Sequence, residues 1–282
     1  MPNIYFILFE VIIYIQFLIC FRHAIKNGPV NISKLLVGIV FGVMLELATI
    51  RQLHAYQYGR FMVMVFDVPL CIGVAWGCII YSVMEFTDAS SLPYWLRPIL
   101  DGLLALNIDL ALDTVAIRLG FWDWGIGLQK QYFGVPYANF WAWFWVIFFF
   151  SLGYRIFARK NDWTGKWLPA PTALIIGLIG VLGTNAFITF TVPATIRPAV
   201  IAITLITMLA IVTFKRPVFH VHPVNPLAFW VPFLSHAYLL IAGIFSGVIF
   251  NPIFILIISI VMIVIAFLLH KDAIPFRKQA QQ

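Results

Sequence analysis

The sequence predicts an all-α, polytopic integral membrane bundle of about nine transmembrane helices, and three observations predict it. Of 282 residues, 62% are hydrophobic, 17% aromatic and only 10% charged, far from the roughly 25% charged of a soluble domain. Apolar runs close to the ~20 residues that cross a hydrocarbon core recur along the whole chain, and mean hydropathy is +0.97. Lysine and arginine also alternate between the loops in the way a membrane topology requires.

The runs fall at about 4–21, 34–50, 61–83, 99–118, 139–157, 171–191, 196–214, 228–249 and 252–269. The first begins at Ile4 without a basic leader and is followed by Arg22, His23 and Lys26 rather than a small-residue cleavage site, so it reads as a retained helix. Pro93 and Pro98 precede the fourth run, Pro169 and Pro171 the sixth, and Pro223 and Pro226 the eighth, where proline is tolerated at a helix start. Only VPATIRP separates the sixth run from the seventh, and only Asn251-Pro252 the eighth from the ninth, so eight or ten spans stay open. The stretch 119–138, LGFWDWGIGLQKQYFGVPYA, holds too many glycines and polar residues for a helix in lipid. It is expected at the outer surface, anchored by Trp122, Trp124, Tyr132 and Tyr137, or folded over the bundle as a lid.

With the N-terminus outside, the inner segments collect most of the 18 Lys and Arg, leaving Arg51, Arg60, Arg118, Lys130 and Arg197 to the outer loops. The positive-inside rule then sets the C-terminus in the cytoplasm, in a plasma or inner membrane. The net charge of +7 is thus topological and implies no nucleic-acid partner, since it is spread over short loops. No hydrophilic block is long enough for a second domain, so residues 1–282 read as one transmembrane domain, with 35–145 the most informative block. Cys20, Cys71 and Cys78 lie in apolar runs without paired metal or redox spacing and read as small hydrophobes.

The fourth run, ILDGLLALNIDLALDTVAI, carries Asp101, Asp109 and Asp113. A central carboxylate opposes insertion by roughly 2.5–3.5 kcal/mol and a leucine returns only about 0.3–0.6, so the acids must face a polar interior. At about 100° per residue they share one side of the helix, a buried acidic stripe. Asp101, one turn from Pro98, also suits the positive helix N-terminus. For Asp109 and Asp113 the bland alternative is a structural polar cluster satisfied by Asn185, aromatic donors or buried water.

Glu46 lies near the end of the second run, and Asp67 near the start of the third, where an interfacial carboxylate or a partner for Arg60 explains it. His220 and His222, in FHVHP, alternate like metal ligands but lack an obvious third, and no metal site is expected. His236, in PFLSHAYLL, is either a packing histidine or one that moves a proton or places a water; His54 and His270 read as interfacial. Trp76, Tyr56, Tyr58 and Asn139 stand where they can line a pocket.

A carboxylic acid moved from water into an apolar pocket holds its proton more tightly, and a neighbouring carboxylate tightens that hold for one member of the pair. Such an acid can protonate a weak base, and the weakest base a membrane enzyme commonly meets is an alkene. A trisubstituted isoprenoid double bond then becomes a tertiary cation, which indole and phenol faces stabilise by about 0.5–2 kcal/mol each when desolvated. Water capture yields an alcohol; loss of a different proton yields isomerisation or cyclisation. The sequence has no phosphate loop, nucleophile elbow, desaturase histidine box or DDxxD signature, and no cofactor is expected. A proton-coupled transporter and a lipid-binding or assembly protein remain alternatives from other classes.

The run LNIDLALDTVAIRLGFWDWGIGLQKQYFGVPYANFWAW resembles the central signature of the membrane carotenoid-biosynthesis family that contains the carotenoid 1,2-hydratases of the bisanhydrobacterioruberin and γ-carotene type. Glu46 with Tyr56-Gln57-Tyr58, Val68-Pro69 and Trp76 resembles its opening block, and PFLSHAYLL around His236 its closing block. The resemblance implies a cofactor-independent hydro-lyase adding water across the terminal C1=C2 bond of a linear carotenoid such as lycopene. It implies Glu46, Asp109, Asp113, Trp122, Trp124, Gly134, Pro136 and Asn139 as the site or its frame. Thr114 and Trp141 depart from the pattern, which has proline and glycine there. Asp109 or Asp113 is then the acid, its helix neighbour shares the proton, and Glu46 with Asn139 holds the water. The partners implied are a carotenoid or isoprenoid substrate, membrane lipid and other enzymes of the same pathway.

Overall fold

A computed structural model describes residues 3–53, 56–219, 221–222 and 224–274. The long helices are α1 (Ile4–Lys26), α2 (Pro29–Leu53), α3 (Leu70–Asp88), α4 (Arg97–Ala116), α5 (Tyr137–Phe157), α7 (Pro169–Ala186), α8 (Arg197–Phe214), α9 (Leu227–Ser246) and α10 (Phe254–His270), with the single-turn α6 (Trp163–Trp167) before α7. These nine long helices correspond to the nine predicted runs. Among the described residues, seven elements are long and apolar enough to cross a membrane, α7 being counted there together with its π-type continuation Phe187–Thr191. The other two are α4, with its three aspartates, and α10, of 17 residues.

Local chemistry accounts for the boundaries. Asn3 caps α1 by accepting the Tyr5 N–H at 3.2 Å; Pro98 and Pro198 enter α4 and α8 at their first turns. At the end of α9, Gly247 takes the left-handed conformation (φ +79°) that a side chain would resist.

The third run is shorter than hydropathy predicts. Helix α3 starts at Leu70, and 61–69 form a tight hairpin in which β2 (Met64–Val65) pairs antiparallel with β3 (Val68–Pro69). Pro69 holds an extended backbone (φ −63°, ψ 131°) and lacks the N–H that a helix interior needs, so an apolar stretch becomes a turn. Asp67 is accordingly an exposed loop residue, 4.0 Å from Arg51 rather than beside Arg60.

Helix α4 is the axis of the bundle, packed by α3, α5, α8, α9 and α10. Helices α2 and α3 meet through two glycine pairs four residues apart, Gly38 with Gly42 and Gly73 with Gly77. A Cβ on Gly38 would lie 3.1 Å from Gly77 Cα, and one on Gly42 would lie 2.6 Å from Trp76 Cβ. The stretch 119–136 folds back over the bundle: β4 (Trp122–Asp123) pairs antiparallel with β1 (Gln57–Tyr58). Arg118 ties it down, donating to the carbonyls of Thr114 (3.0 Å), Phe133 (2.9 Å) and Leu128 (3.2 Å). This is the lid arrangement. Its aromatic residues turn inward instead of anchoring at a surface: Trp122 is buried, and Trp124, Tyr132 and Tyr137 are half-buried.

Candidate active site

The lid, α1 to α5 and the α7–α8 connection enclose a cavity of about 320 Å³. Two acidic groups face it. The first comes from the last two turns of α4, where Asp109 is 0% and Asp113 2% exposed. From the first turn of α5, the Asn139 amide bridges them: Nδ2 donates to Asp109 Oδ1 (3.1 Å) and Oδ2 (3.0 Å) and to Asp113 Oδ2 (2.6 Å). Asn139 is aimed there because Pro136 starts α5, its carbonyl accepting the Asn139 N–H at 2.9 Å.

The second group is Glu46 of α2. Its Oε1 accepts from Trp76 Nε1 at 2.7 Å, and its Oε2 from the hydroxyls of Tyr58, at 2.8 Å, and Tyr56. The Gly42–Trp76 approach brings the indole onto this carboxylate. Burial, then the nearby Glu46 charge, pushes both loop phenols well above the ordinary tyrosine range, so both stay O–H donors at any physiological pH. Around these groups stands an aromatic wall: Tyr56 against Trp124 (4.6 Å between ring centres), Tyr58 against Trp122 (6.0 Å) and Trp76 against Trp143 (4.4 Å). No ion pair among the described residues reaches Asp109, Asp113 or Glu46. The Trp124 Nε1–H is buried without a protein partner.

Glu46, Asp113, Tyr56, Tyr58, Trp76, Trp122, Trp124 and Asn139 therefore all line one cavity, with Asp109 directly behind Asn139. His236 is not brought there: it lies outside the lining and faces Asn107 Oδ1 at 3.3 Å, although its neighbour Ser235 does line the cavity. Asp101 separates from the stripe. It accepts from Thr87 Oγ1 at 2.6 Å, Ser151 Oγ and Arg155 Nη2 at 3.1 Å, so its charge is met by a guanidinium and not by its helix terminus. Sequence reading missed Trp143, Thr49 and Arg197, which also line the cavity; for Trp143 the FWAWFW run hides one inward ring among lipid-facing ones. Of the FHVHP histidines, His220, like His54, falls outside the described residues. Among those described, no group of three His, Cys, Asp or Glu could hold a metal ion.

A family model described as carotenoid biosynthesis protein matches residues 3–209. No curated protein and no solved structure matches the chain.

Proposed function

Because the chain belongs to the carotenoid biosynthesis protein family, we propose that it is a membrane-embedded hydratase adding water to the terminal C1=C2 bond of a linear carotenoid, such as a lycopene-, γ-carotene- or bisanhydrobacterioruberin-like chain. Family membership supports the role in carotenoid biosynthesis. The observation that carries the finer reading is the cation-free Asp109–Asn139–Asp113 cluster in the wall of an aromatic cavity.

Two buried carboxyl groups bridged by one amide, with no cation among the described residues within ion-pair distance to neutralise them, hold one proton between them. Asp113 lines the cavity and Asp109 lies behind it, so Asp113 delivers the proton and Asp109 shares it. The proton adds to C2, both π electrons form the new C2–H bond, and the positive charge is left on tertiary C1. Trp76, Trp122, Trp124 and the two tyrosines present ring faces to that cation, each worth about 0.5–2 kcal/mol when desolvated. Water then bonds to C1 through oxygen and releases a proton that restores the aspartate pair.

Asn139 spends its amide hydrogens on the aspartates and so sets their geometry rather than holding water. Glu46, its carboxyl oxygens held by three donors, faces the cation and accepts from the incoming water through a remaining lone pair. The unpartnered Trp124 N–H, like the unpartnered Arg197 Nε–H in the same lining, is a donor open to the same oxygen. The proposal takes residues 1–282 as one transmembrane domain with the N-terminus outside and the C-terminus in the cytoplasm, beside other enzymes of the pathway.

The test is expression in a lycopene-producing bacterium with mass spectrometry of the extracted pigments. A product heavier by one water, or by two when both ends react, supports hydration. Unchanged pigment with the protein present in the membrane overturns it. A ring-bearing product of unchanged mass assigns the same acid chemistry to cyclisation.

A further inference from the structure

The geometry points to a second site at the other end of the bundle from the lid: a pocket for a phosphate-bearing anion, presented by an acidic phospholipid headgroup. A separate cavity of about 240 Å³ lies between the α4 start and the α5 end, lined by Asp88, Tyr94, Arg97, Tyr154, Arg155 and Arg159 among others. Three guanidinium groups crowd one ring: Arg159, Arg155 and Arg97 stand 4.7, 5.5 and 5.6 Å from the centre of Tyr94.

Gathering like charges is unfavourable unless anions match them, and here the match is incomplete. Arg155 pairs with Asp101 at 3.1 Å and with Asp88, and Arg97 shares Asp88 at 3.0 Å. Arg159 has no carboxylate partner within 4.0 Å among the described residues. Three guanidinium groups thus face two carboxylates around an open volume, which leaves one positive charge and free N–H donors for a ligand. A phosphate suits planar guanidinium forks, which bind its oxygens in pairs.

The height of the pocket along the bundle favours a lipid as the source. Trp95, Trp163 and Trp167, next in sequence to the arginines or just beyond them, are 69%, 66% and 71% exposed, as expected of indoles lying at the headgroup level. Exposed Lys160 adds to the field there, and basic pockets between helices at this depth take anionic headgroups.

The full chain, purified in mild detergent, is titrated with phosphatidylglycerol, phosphatidylcholine or inorganic phosphate and read by native mass spectrometry. Expected is preferential retention of phosphatidylglycerol, weakened about fivefold in Arg159→Gln and further in Arg97→Gln/Arg159→Gln, with an unchanged melting midpoint in Arg159→Gln, whose side chain is exposed. Equal retention of the two lipids, or no loss in Arg159→Gln, overturns the site. Phosphorus adducts from inorganic phosphate but not from phosphatidylglycerol overturn the lipid source. None of these outcomes depends on the pigment reaction.

Discussion

Asp101 and the Asp109–Asp113 pair lie on one helix, Asp101 about 12 Å from Asp109 and about 18 Å from Asp113 along its axis, and all are essentially inaccessible to solvent. Their surroundings are opposite. Asp101 is held by a guanidinium and two hydroxyls, and Arg155 links it on to Asp88. Asp109 and Asp113 receive one neutral amide and, among the described residues, no cation within ion-pair distance. A buried carboxylate beside arginine is neutralised and fixed, which secures helix packing but leaves no proton to give. A buried pair without a cation is unfavourable to keep, and such arrangements concentrate where chemistry needs them. The same residue type on one helix thus meets two opposite environments, and the difference is set by what α3 and α5 place opposite.

The strongest way to break this division is Asp113→Asn. It preserves shape and leaves the Asp109–Asn139 hydrogen bonds in place, so the melting midpoint should hold while hydration falls by about 10²- to 10⁴-fold, the usual worth of a positioned acid. Normal accumulation of hydrated pigment in cells carrying this variant would end the assignment of the acid. The mirror experiment is Asp101→Asn. It strips the fully buried Arg155 of one of its two carboxylates at a cost of about 3 kcal/mol, so thermal denaturation in detergent should shift strongly downward while each surviving folded molecule keeps its rate. A stable but inactive Asp101→Asn protein would show that the two stations are not separate.

Much of this was legible in the chain, and what escaped has particular causes. The helical runs, the nearness of Asp109 to Asp113 and the meeting of Glu46, Asp113 and Asn139 at one cavity follow from hydropathy, the 3.6-residue period and family resemblance. The partner of Asp101 does not, because Arg155 looks like one more basic residue of a topology tally until α5 folds alongside α4. The start of α3 escapes because Phe61 to Phe66 is apolar enough for a membrane, and only the Pro69 backbone argues otherwise. The inward turn of Trp122 and Trp124 depends on the pairing of β4 with β1, a contact between segments more than sixty positions apart, to which no local pattern points. The spacing Gly38-xxx-Gly42 against Gly73-xxx-Gly77 was readable as a close-approach signal, and it locates the contact that carries Trp76 onto Glu46.

That contact supplies a smaller test. In Gly42→Ala the new methyl group would sit 2.6 Å from Trp76 Cβ and 3.0 Å from the Gly73 carbonyl oxygen, so α2 and α3 must separate. Overpacking of this kind costs about 1–3 kcal/mol. Because the displaced indole is a donor to Glu46, hydration per folded molecule should fall as well, unlike in Asp101→Asn. A stability loss without a rate loss would mean that the Trp76–Glu46 hydrogen bond does not matter to the reaction.

The smallest expected effect separates the two contributions of one ring. Trp124→Phe keeps an aromatic face against Tyr56, at 4.6 Å in the parent, and removes only the Nε1–H, which has no partner in the protein. Losing a hydrogen bond made within the fold would lower stability; losing a donor that serves only the incoming oxygen would not. The expected result is an unchanged melting midpoint with hydration slowed about tenfold, the equivalent of about 1.4 kcal/mol in the transition state. Unchanged hydration would mean that the water is held without the Trp124 N–H, and the aromatic cluster would then serve the cation through its faces and nothing more.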